Sequence, residues 1–548
     1  MPQTPNTSEP HPLRRRSVLR AGGAAGAAAL VIPALTLPSA DAADGYFQHG
    51  VASGDPLPDR VILWTRLTPS AAATPGSGHG PRATVMWQVA RDAKFTQIAA
   101  SGETVTGPER DHTVKIDAAG LAAGGRYFYR FGYRGTYSPV GRTRTAPAPS
   151  ATPGRLRFGL VSCANWQSGH FASYRRLAER GDLDAVLHLG DYLYEYGPAE
   201  YGNFRPHDPP HEMTTLADYR RRHAQYKTDP SLRALHAECP WIVTWDDHET
   251  ANDAWSGGAE NHTDGAEGTW AQRRAWAKQA YREWMPIRLG PGGVIYRRLR
   301  FGTLAELTML DLRSYRAQQV DFANAGKADD PEQVIAGAEQ LAFLQESLRG
   351  SGSQWKLIGT SVMFSPLLIP PLPQIIGKPL SDLLGILPAD GAPFNFDQWD
   401  GYQHERGQLV RLLRSERVRD TVFLTGDIHM SFAAEVPLDA GTYPFSPTVA
   451  TEFVVTSVTS DNLDEIAGVP PRTASVAVET AAKALNRHLK FAEMDSHGYA
   501  VLDVTAERAQ CDWYFLADRE DANSPAAHAK SFATASGTQR LTAVAGPV

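Results

Sequence analysis

Three short acidic motifs in this chain carry the residue types needed to hold metal ions. They are Gly190-Asp191-Tyr192-Leu193-Tyr194, Asp246-Asp247-His248-Glu249 and Gly426-Asp427-Ile428-His429. Each follows a short hydrophobic run typical of a buried strand, at residues 183–189, 241–245 and 421–425. A fourth run, residues 156–161, ends at Ser162-Cys163. Four neighbouring strands would gather oxygen, nitrogen and sulfur ligands at one sheet edge, which predicts a metallohydrolase.

The first motif and Cys163 predict a site for a strongly acidic metal ion. Hydrolysis of a phosphate ester is served by two or three metal ions ~3.5–4 Å apart, and one carboxylate must bridge them. Asp191 is the natural bridge, and Tyr194 can bind as a phenolate because a bound cation lowers the pKa of its ligands. A Cys163 thiolate favours iron or zinc over calcium or magnesium, and His429 adds a nitrogen donor.

The remaining carboxylates predict a second, harder cation. Asp247 and Asp427 offer only oxygen, which suits an ion such as calcium, and Asn252 and Asp253 could complete that side. Asp246 and Asp247 are adjacent, so on a strand they point to opposite sides. The residues alone therefore leave open which of the two is the ligand.

Two further residues are candidates for contact with the reacting phosphate. Arg313 follows the hydrophobic run at residues 307–312, and its guanidinium could fork onto phosphate oxygens. The alternative for Arg313 is a surface ion pair with Asp311. His248 is a candidate phosphate contact or proton donor to the leaving oxygen, with a structural role as its alternative.

The bulk composition is that of a globular protein and argues against nucleic-acid binding. The 548 residues are 42% hydrophobic and 21% charged, with a net charge of −6. Three cysteines are too few for a disulfide scaffold. The run Arg14-Arg15-Arg16-Ser17-Val18-Leu19 precedes an apolar stretch and an Ala40-Asp41-Ala42 cleavage site, resembling a twin-arginine export signal. The alternatives are a plain secretory signal or an uncleaved anchor.

The length predicts two domains after the leader. We expect a signal peptide at residues 1–42, a small all-β sandwich of the fibronectin III kind at 43–145, a Pro-rich linker at 146–154, and a catalytic domain at 155–548. In the last part, strand candidates alternate with helical patterns at residues 269–284 and 336–348, which indicates a layered α/β domain. Residues 365–393, rich in Pro, Leu and Ile, are read as a packed surface excursion or an apolar lid beside the site.

The motifs together resemble the PhoD-type alkaline phosphatase family of calcineurin-like metallophosphoesterases. The stretches that carry the resemblance include Gly50-Val51-Ala52-Ser53-Gly54-Asp55-Pro56, Leu63-Trp64-Thr65-Arg66, Ser162-Cys163-x-Asn165, Trp245-Asp246-Asp247-His248-Glu249 and Asp397-Gln398-Trp399-Asp400-Gly401-Tyr402. It implies an αββα catalytic domain. It also implies Fe³⁺ held by Cys163, Asp191, Tyr194 and His429, with Ca²⁺ near Asp191, Asp247 and Asp427.

Two details qualify the resemblance. The wider family favours Asp247 over Asp246 as the ligand. It also places a metal-binding histidine after a middle strand, where this chain has Val362-Met363-Phe364. We therefore predict an oxygen-rich second site.

The resemblance implies a secreted phosphoric ester hydrolase in which a metal-activated oxygen attacks phosphorus in line. Its substrate would be a small phosphate ester or a phospholipid, with phosphodiesterase or phospholipase D activity as the alternative to phosphatase activity. A non-catalytic secreted binding protein is a remote alternative. The expected partner is the twin-arginine export machinery; we expect a monomer, extracellular or wall-associated, without stable membrane insertion.

Overall fold

A computed structural model describes residues 45–376, 378 and 388–548. The signal peptide predicted at residues 1–42 lies outside these residues, as does part of the excursion predicted at 365–393. Within the described part of the chain, no helix combines the length and the apolar character needed to cross a bilayer.

Strands make up most of the framework. In the N-terminal region they are β1 (Val51–Leu57), β2 (Arg60–Arg66), β3 (Ala83–Ala90), β4 (Ile98–Thr106), β5 (Thr113–Ala119), β6 (Arg126–Tyr133), β7 (Thr136–Tyr137) and β8 (Gly141–Arg144). The later strands are β9 (Leu156–Val161), β10 (Ala185–Leu189), β11 (Trp241–Thr244), β12 (Arg297–Phe301), β13 (Ala305–Met309), β14 (Trp355–Thr360), β15 (Leu368–Pro371), β16 (Gly391–Pro393), β17 (Thr421–Thr425), β18 (Ser431–Pro437), β19 (Thr448–Val454), β20 (Leu489–Glu493), β21 (Gly498–Val504), β22 (Arg508–Leu516), β23 (Ala526–Ala535) and β24 (Leu541–Val544).

Helices connect the strands of the second half. The α-helices are α1 (Ala172–Arg180), α2 (Leu216–Tyr226), α3 (Pro230–Glu238), α4 (Trp270–Trp284), α5 (Ala338–Gly350), α6 (Gln403–Ser415), α7 (Leu463–Ala467) and α8 (Ser475–Leu485). The predictions at residues 269–284 and 336–348 are confirmed as α4 and α5. Thr269 caps α4 because its side chain accepts a hydrogen bond from the Gln272 amide.

Two large sheets face each other. One has ten strands in the order β24-β23-β22-β21-β9-β10-β11-β1-β2-β5, and the other has seven in the order β12-β13-β14-β17-β19-β18-β20. Strands β9, β10 and β11 run parallel, as do β13, β14, β17 and β19. Parallel strands reach the same sheet edge with their carboxyl ends, so the residues that follow them are brought together.

Side-chain alternation along the central strands separates three layers of core. Leu187 and Leu189 of β10 face the inter-sheet core, whereas Val186 packs toward helices α1 to α4. On the other sheet, Ile358 of β14 and Phe423 of β17 pack against α5 and α6. The domain is therefore a helix–sheet–sheet–helix sandwich, and the predicted αββα fold is confirmed.

The N-terminal region is all-β, as predicted, and it is joined to the catalytic sheet. Strands β1, β2 and β5 face a five-stranded sheet of β4, β3, β6, β7 and β8 across an apolar core. Strand β1 also pairs with β11 in parallel, with Gly54 opposite Trp241. A side chain at Gly54 has no room, because a Cβ there would lie 2.0 Å from the Pro286 carbonyl oxygen. One layer of the sandwich thus continues directly into the ten-stranded sheet.

Candidate metal centre

The ends of β9, β10, β11 and β17 converge on one cluster of side chains. Two glycines allow the close approach of the loops that follow these strands. A Cβ at Gly190 would lie 2.6 Å from Asp246 Cβ, and one at Gly426 would lie 2.7 Å from Ser162 Cβ. Both distances are shorter than real Cβ contacts, so glycine is required at position 190 and at position 426.

Four of the predicted ligands have left-handed backbone conformations. The φ angles are 57° at Cys163, 55° at Asp191, 63° at Asp427 and 60° at His429. Such conformations cost about 1–3 kcal/mol each for non-glycine residues and concentrate at functional sites. They turn the backbone sharply after each strand, and this turn directs the side chains back into a common space.

The structure brings the predicted sulfur-containing set of ligands together. Ligand atoms of Cys163, Asp191 and His429 all lie within 4.8 Å of one another. The Tyr194 hydroxyl lies 3.2 Å from Asp191 Oδ2 and 3.3 Å from His429 Nε2. These four residues offer thiolate, carboxylate, imidazole and phenolate donors around one point.

Hydrogen bonds orient His429 and Tyr194 for ligation. His429 Nδ1 lies 2.9 Å from the Asp461 carbonyl oxygen, which can only accept, so Nδ1 carries the proton and Nε2 keeps its lone pair. Ser460 Oγ donates to the Tyr194 hydroxyl at 2.6 Å. This contact holds the phenol oxygen in place beside Asp191 and His429.

The carboxylate part of the site shares Asp191. Oxygens of Asp191, Asp246, Asp247 and Asp427 lie within 4.8 Å of one another, and Asp191 belongs to every group of candidate ligand atoms found among the described residues. Asp247 lines the cavity beside the cluster. Both oxygens of Asp246 accept hydrogen bonds from Arg313 instead, at 2.7 and 2.8 Å. This arrangement supports Asp247 as the member of the pair that faces a second ion.

The chemistry of these donors fits metal ions. Asp191 Oδ1 is buried and has no hydrogen-bond partner among the described residues. Burial and the neighbouring carboxylates raise the pKa values of Cys163 and Asp427, and burial, opposed by His248, raises that of Asp191. Burial, with Asp191, also raises the pKa of Tyr194. Multivalent cations would reverse these shifts, because they stabilise the anionic form of each ligand.

His248 is held by Glu195, a residue that the motifs did not single out. His248 Nδ1 lies 2.8 Å from Glu195 Oε2, and the other Glu195 oxygen accepts from the Asn252 amide at 2.6 Å. The imidazole packs against the Tyr194 ring with centroids 4.1 Å apart. Burial lowers the pKa of His248, but the charges of Asp247, Glu195 and Asp191 outweigh it and the net shift is upward. The Glu195 carboxylate thus fixes the orientation of His248, and together with Asp247 and Asp191 it favours the protonated imidazole.

Arg313 is buried, with its side chain only 4% exposed, so it is not part of a surface ion pair as the alternative had it. Its guanidinium binds Asp246 through two bonds and Asp397 at 3.0 and 2.7 Å. Nη2 lies 3.6 Å from Asp247 Oδ1 and 3.7 Å from Asp427 Oδ1. Arg313 therefore contributes positive charge to the acidic cluster, and its contact with phosphate stays a prediction.

Asn252 and Asp253 both line the cavity. The Asn252 side-chain amide donates to Glu260 at 2.9 Å, and Asp253 accepts from Gln319 at 2.7 Å. Burial, with the charges of Asp397 and Asp247, raises the pKa of Asp253 to about 7. Asp253 thus adds a further carboxylate to the side where the sequence predicts the harder cation.

Glu249 binds together the loops that carry the ligands. Its carboxylate accepts from the amides of Tyr192 at 2.6 Å, Asp246 at 2.7 Å and Asp191 at 3.2 Å. The last residue of the Asp-Asp-His-Glu motif thus has a positioning role that its spacing did not reveal. For Glu195, the only indication in the sequence was its position directly after the predicted ligand Tyr194.

The cluster opens into a cavity of ≈ 550 Å³. This volume is in the range of small-molecule sites. Its lining includes Asp191, Asp247, His248, Asp427 and His429. Five of the predicted ligands and His248 therefore share one accessible space, whereas Cys163 and Tyr194 do not line it.

Comparison with known proteins identifies the family of this chain. The model of the PhoD-like phosphatase family matches residues 158–513, and that of the PhoD-like phosphatase N-terminal domain matches residues 33–147. The chain belongs to the PhoD-like phosphatase family. Alkaline phosphatase D of Bacillus subtilis (strain 168) is 36% identical over 483 residues, covering 85% of this chain and 77% of the relative.

A solved PhoD-like structure extends the agreement to three dimensions. The structure described as "Structure of PhoD" superposes with a TM-score of 0.80 at 33% identity, covering 92% of this chain and 93% of the other. The family resemblance inferred from the motifs is confirmed, and the chain is a phosphoric ester hydrolase. The alternative of a non-catalytic binding protein is thereby disfavoured.

Proposed function

We propose that this PhoD-like phosphatase is a metal-dependent phosphoric ester hydrolase of the alkaline phosphatase D type that works with at least two ions. The observation that carries the proposal is the position of Asp191, whose carboxylate is within ligand distance of both a sulfur-containing set and an all-carboxylate set. A shared carboxylate is what a pair of ions requires.

The two donor sets favour different ions. Cys163, Tyr194 and His429 with Asp191 supply soft and phenolic ligands, which suit Fe³⁺. Asp247 and Asp427, with Asp253 or Asn252 nearby, supply oxygen only, which suits Ca²⁺. When bound, the ions would activate the attacking water and neutralise charge on the phosphoryl oxygens.

The chain's own residues account for the proton at the leaving oxygen. His248 has its Nδ1 bound to Glu195, which leaves Nε2 as the atom available to the cavity. Against the effect of burial, the charges of Asp247, Glu195 and Asp191 raise the pKa of His248, which favours the form that carries a proton on Nε2. We assign Nε2 as the proton donor to the leaving alcohol, which cannot depart as an alkoxide without cost.

Phosphodiesterase or phospholipase D activity is the second candidate. The observation that favours it is a set of exposed apolar side chains on the excursion after β14, where Ile369 is 48%, Ile376 53% and Ile375 83% exposed. Apolar side chains of this kind on one segment are able to contact acyl chains.

One comparison ranks the candidate activities. We would measure turnover of an aryl phosphate monoester, its bis-aryl diester and phosphatidylcholine by the same purified protein, alongside its iron and calcium content. Preference for the monoester with both metals present supports the first candidate. Turnover of none of the three, with neither metal bound, would refute metal-dependent hydrolysis.

We further propose that the chain is exported through the twin-arginine pathway and acts as a monomer outside the cell. The run Arg14-Arg15-Arg16, followed by the apolar Val18 and Leu19, and the Ala40-Asp41-Ala42 sequence support export. Replacing all three arginines by lysine should retain the protein inside the cell, while a secretory-type signal would tolerate the change. Light scattering of the purified protein tests the monomer.

A further inference from the structure

One wall of the catalytic cavity is aromatic. Phe322, Phe394 and Phe396 line the same space as Asp247 and Asp427. Phe322 begins the 3-10 helix Phe322–Asp329, and Phe394 directly follows β16. The Phe322 and Phe396 rings meet edge to face, with centroids 5.1 Å apart.

The three rings differ in exposure in a way that suits a binding surface. Phe396 is only 7% exposed and packs with Val320, Ala325 and Ala328. Phe322 is 74% exposed and Phe394 47% exposed. The buried ring therefore anchors the wall, while the two exposed rings present apolar area to whatever enters the cavity.

Both aromatic segments are also connected to the charged cluster. Asp397 directly follows Phe396, and its carboxylate accepts from Arg313 at 2.7 Å. Gln319, three residues before Phe322, donates to Asp253 at 2.7 Å. An ester held by its phosphate at the acidic cluster thus has its organic group within reach of these rings.

We propose that Phe322, Phe394 and Phe396 form the binding subsite for the organic group of the substrate. The subsite selects phosphate esters of flat aromatic or bulky apolar alcohols over esters of small polar alcohols. This inference rests on the proposed function, because it assumes that the phosphate binds at the acidic cluster.

Phe445 provides a control for the effect of removing an exposed phenylalanine outside the cavity. Phe445 is 93% exposed but does not line the cavity. A general effect of removing a surface phenylalanine would appear in Phe445→Ala. An effect of the subsite would appear only in Phe322→Ala and Phe394→Ala.

The experiment compares kcat and KM for 1-naphthyl phosphate and ethyl phosphate in the wild type, in these three variants and in Phe322→Tyr. Aromatic contacts of this kind are worth about a two- to tenfold change in affinity. We expect Phe322→Ala and Phe394→Ala each to lower kcat/KM for 1-naphthyl phosphate by that factor, mainly through KM. Values for ethyl phosphate should stay within about twofold of the wild type, and Phe322→Tyr should restore the preference.

Equal losses for both esters, or no loss for either, would overturn the subsite. If the wild type hydrolysed neither ester, phosphomonoesterase activity, the first candidate, would fail, and binding would then decide the subsite separately. Titration with 1-naphthylmethylphosphonate and methylphosphonate serves this purpose. Tighter binding of the naphthyl compound that is lost in Phe322→Ala and Phe394→Ala supports the subsite, and equal affinities refute it.

Discussion

Replacing Arg313 by methionine tests whether this buried cation neutralises the acidic cluster. Methionine retains much of the apolar volume and removes the charge together with all five donors. The change eliminates two bonds to Asp246, at 2.7 and 2.8 Å, and two to Asp397, at 3.0 and 2.7 Å. Asp397 keeps a bond from Arg316, so Asp246 is the carboxylate left without a charged donor.

The burial of the partners sets the size of the effect. The side chains of Arg313 and Asp246 are 4% and 1% exposed, so solvent cannot replace the lost bonds. Removing one member of a buried ion pair costs about 3–5 kcal/mol, because the other charge stays buried and unpaired. We expect Arg313→Met to lower the free energy of unfolding by about that amount.

The assay is urea denaturation of chelator-treated protein at pH 8, since bound cations would partly replace the missing charge. Asp246→Asn and the double variant complete a double-mutant cycle that isolates the Arg313–Asp246 coupling. The matched control is Arg60→Met, which removes an exposed pair with Asp59 whose side chains are 39% and 58% exposed. The control should change stability by less than about 0.5 kcal/mol.

A loss from Arg313→Met no larger than that from Arg60→Met would refute charge neutralisation. The metal-loaded variants supply a second criterion. If Arg313 neutralises the cluster, Arg313→Met raises calcium retention, because the carboxylates lose a competing positive charge, and inorganic phosphate binding is not weakened in samples matched for metal content. Weakened phosphate binding with unchanged calcium content would instead favour the direct phosphate contact.

Three further predictions concern single side chains. Cys163→Ser should lower iron content about tenfold or more with a smaller effect on calcium, as measured by elemental analysis, and unchanged iron would contradict the ligand assignment. Glu195→Gln removes a charge that raises the pKa of His248, so the basic limb of the kcat profile should move to lower pH. An unshifted limb would argue against His248 as the acid. Burial lowers the pKa of Lys227 well below that of a free lysine, so the unfolded chain binds a proton that the folded chain does not. Stability should therefore fall as pH falls from about 10, by up to about 1.4 kcal/mol per unit, and Lys227→Met should flatten this slope in urea titrations at several pH values.

The sequence was sufficient to predict the fold class and the candidate ligands, because both predictions depend on local patterns. Short apolar runs ending in acidic residues predict parallel strands, and parallel strands bring their carboxyl ends to one edge. Asp191 and Tyr194 are three residues apart on one loop, so their joint role is visible from spacing alone. Cys163 and His429 could be added because each follows a strand of the same kind.

The tertiary structure decided how these residues are supported and what else faces them. The Ser460 hydroxyl reaches Tyr194 across 266 residues, and Arg313 reaches Asp397 across 84. Strand β1 pairs with β11, which no pattern in either strand specifies. Contacts such as these depend on the packing of whole sheets and on loop conformations at positive φ. The spacing of residues along the chain therefore does not predict them. Ligand identity follows from residue type, whereas orientation and charge balance follow from the neighbours that the fold supplies.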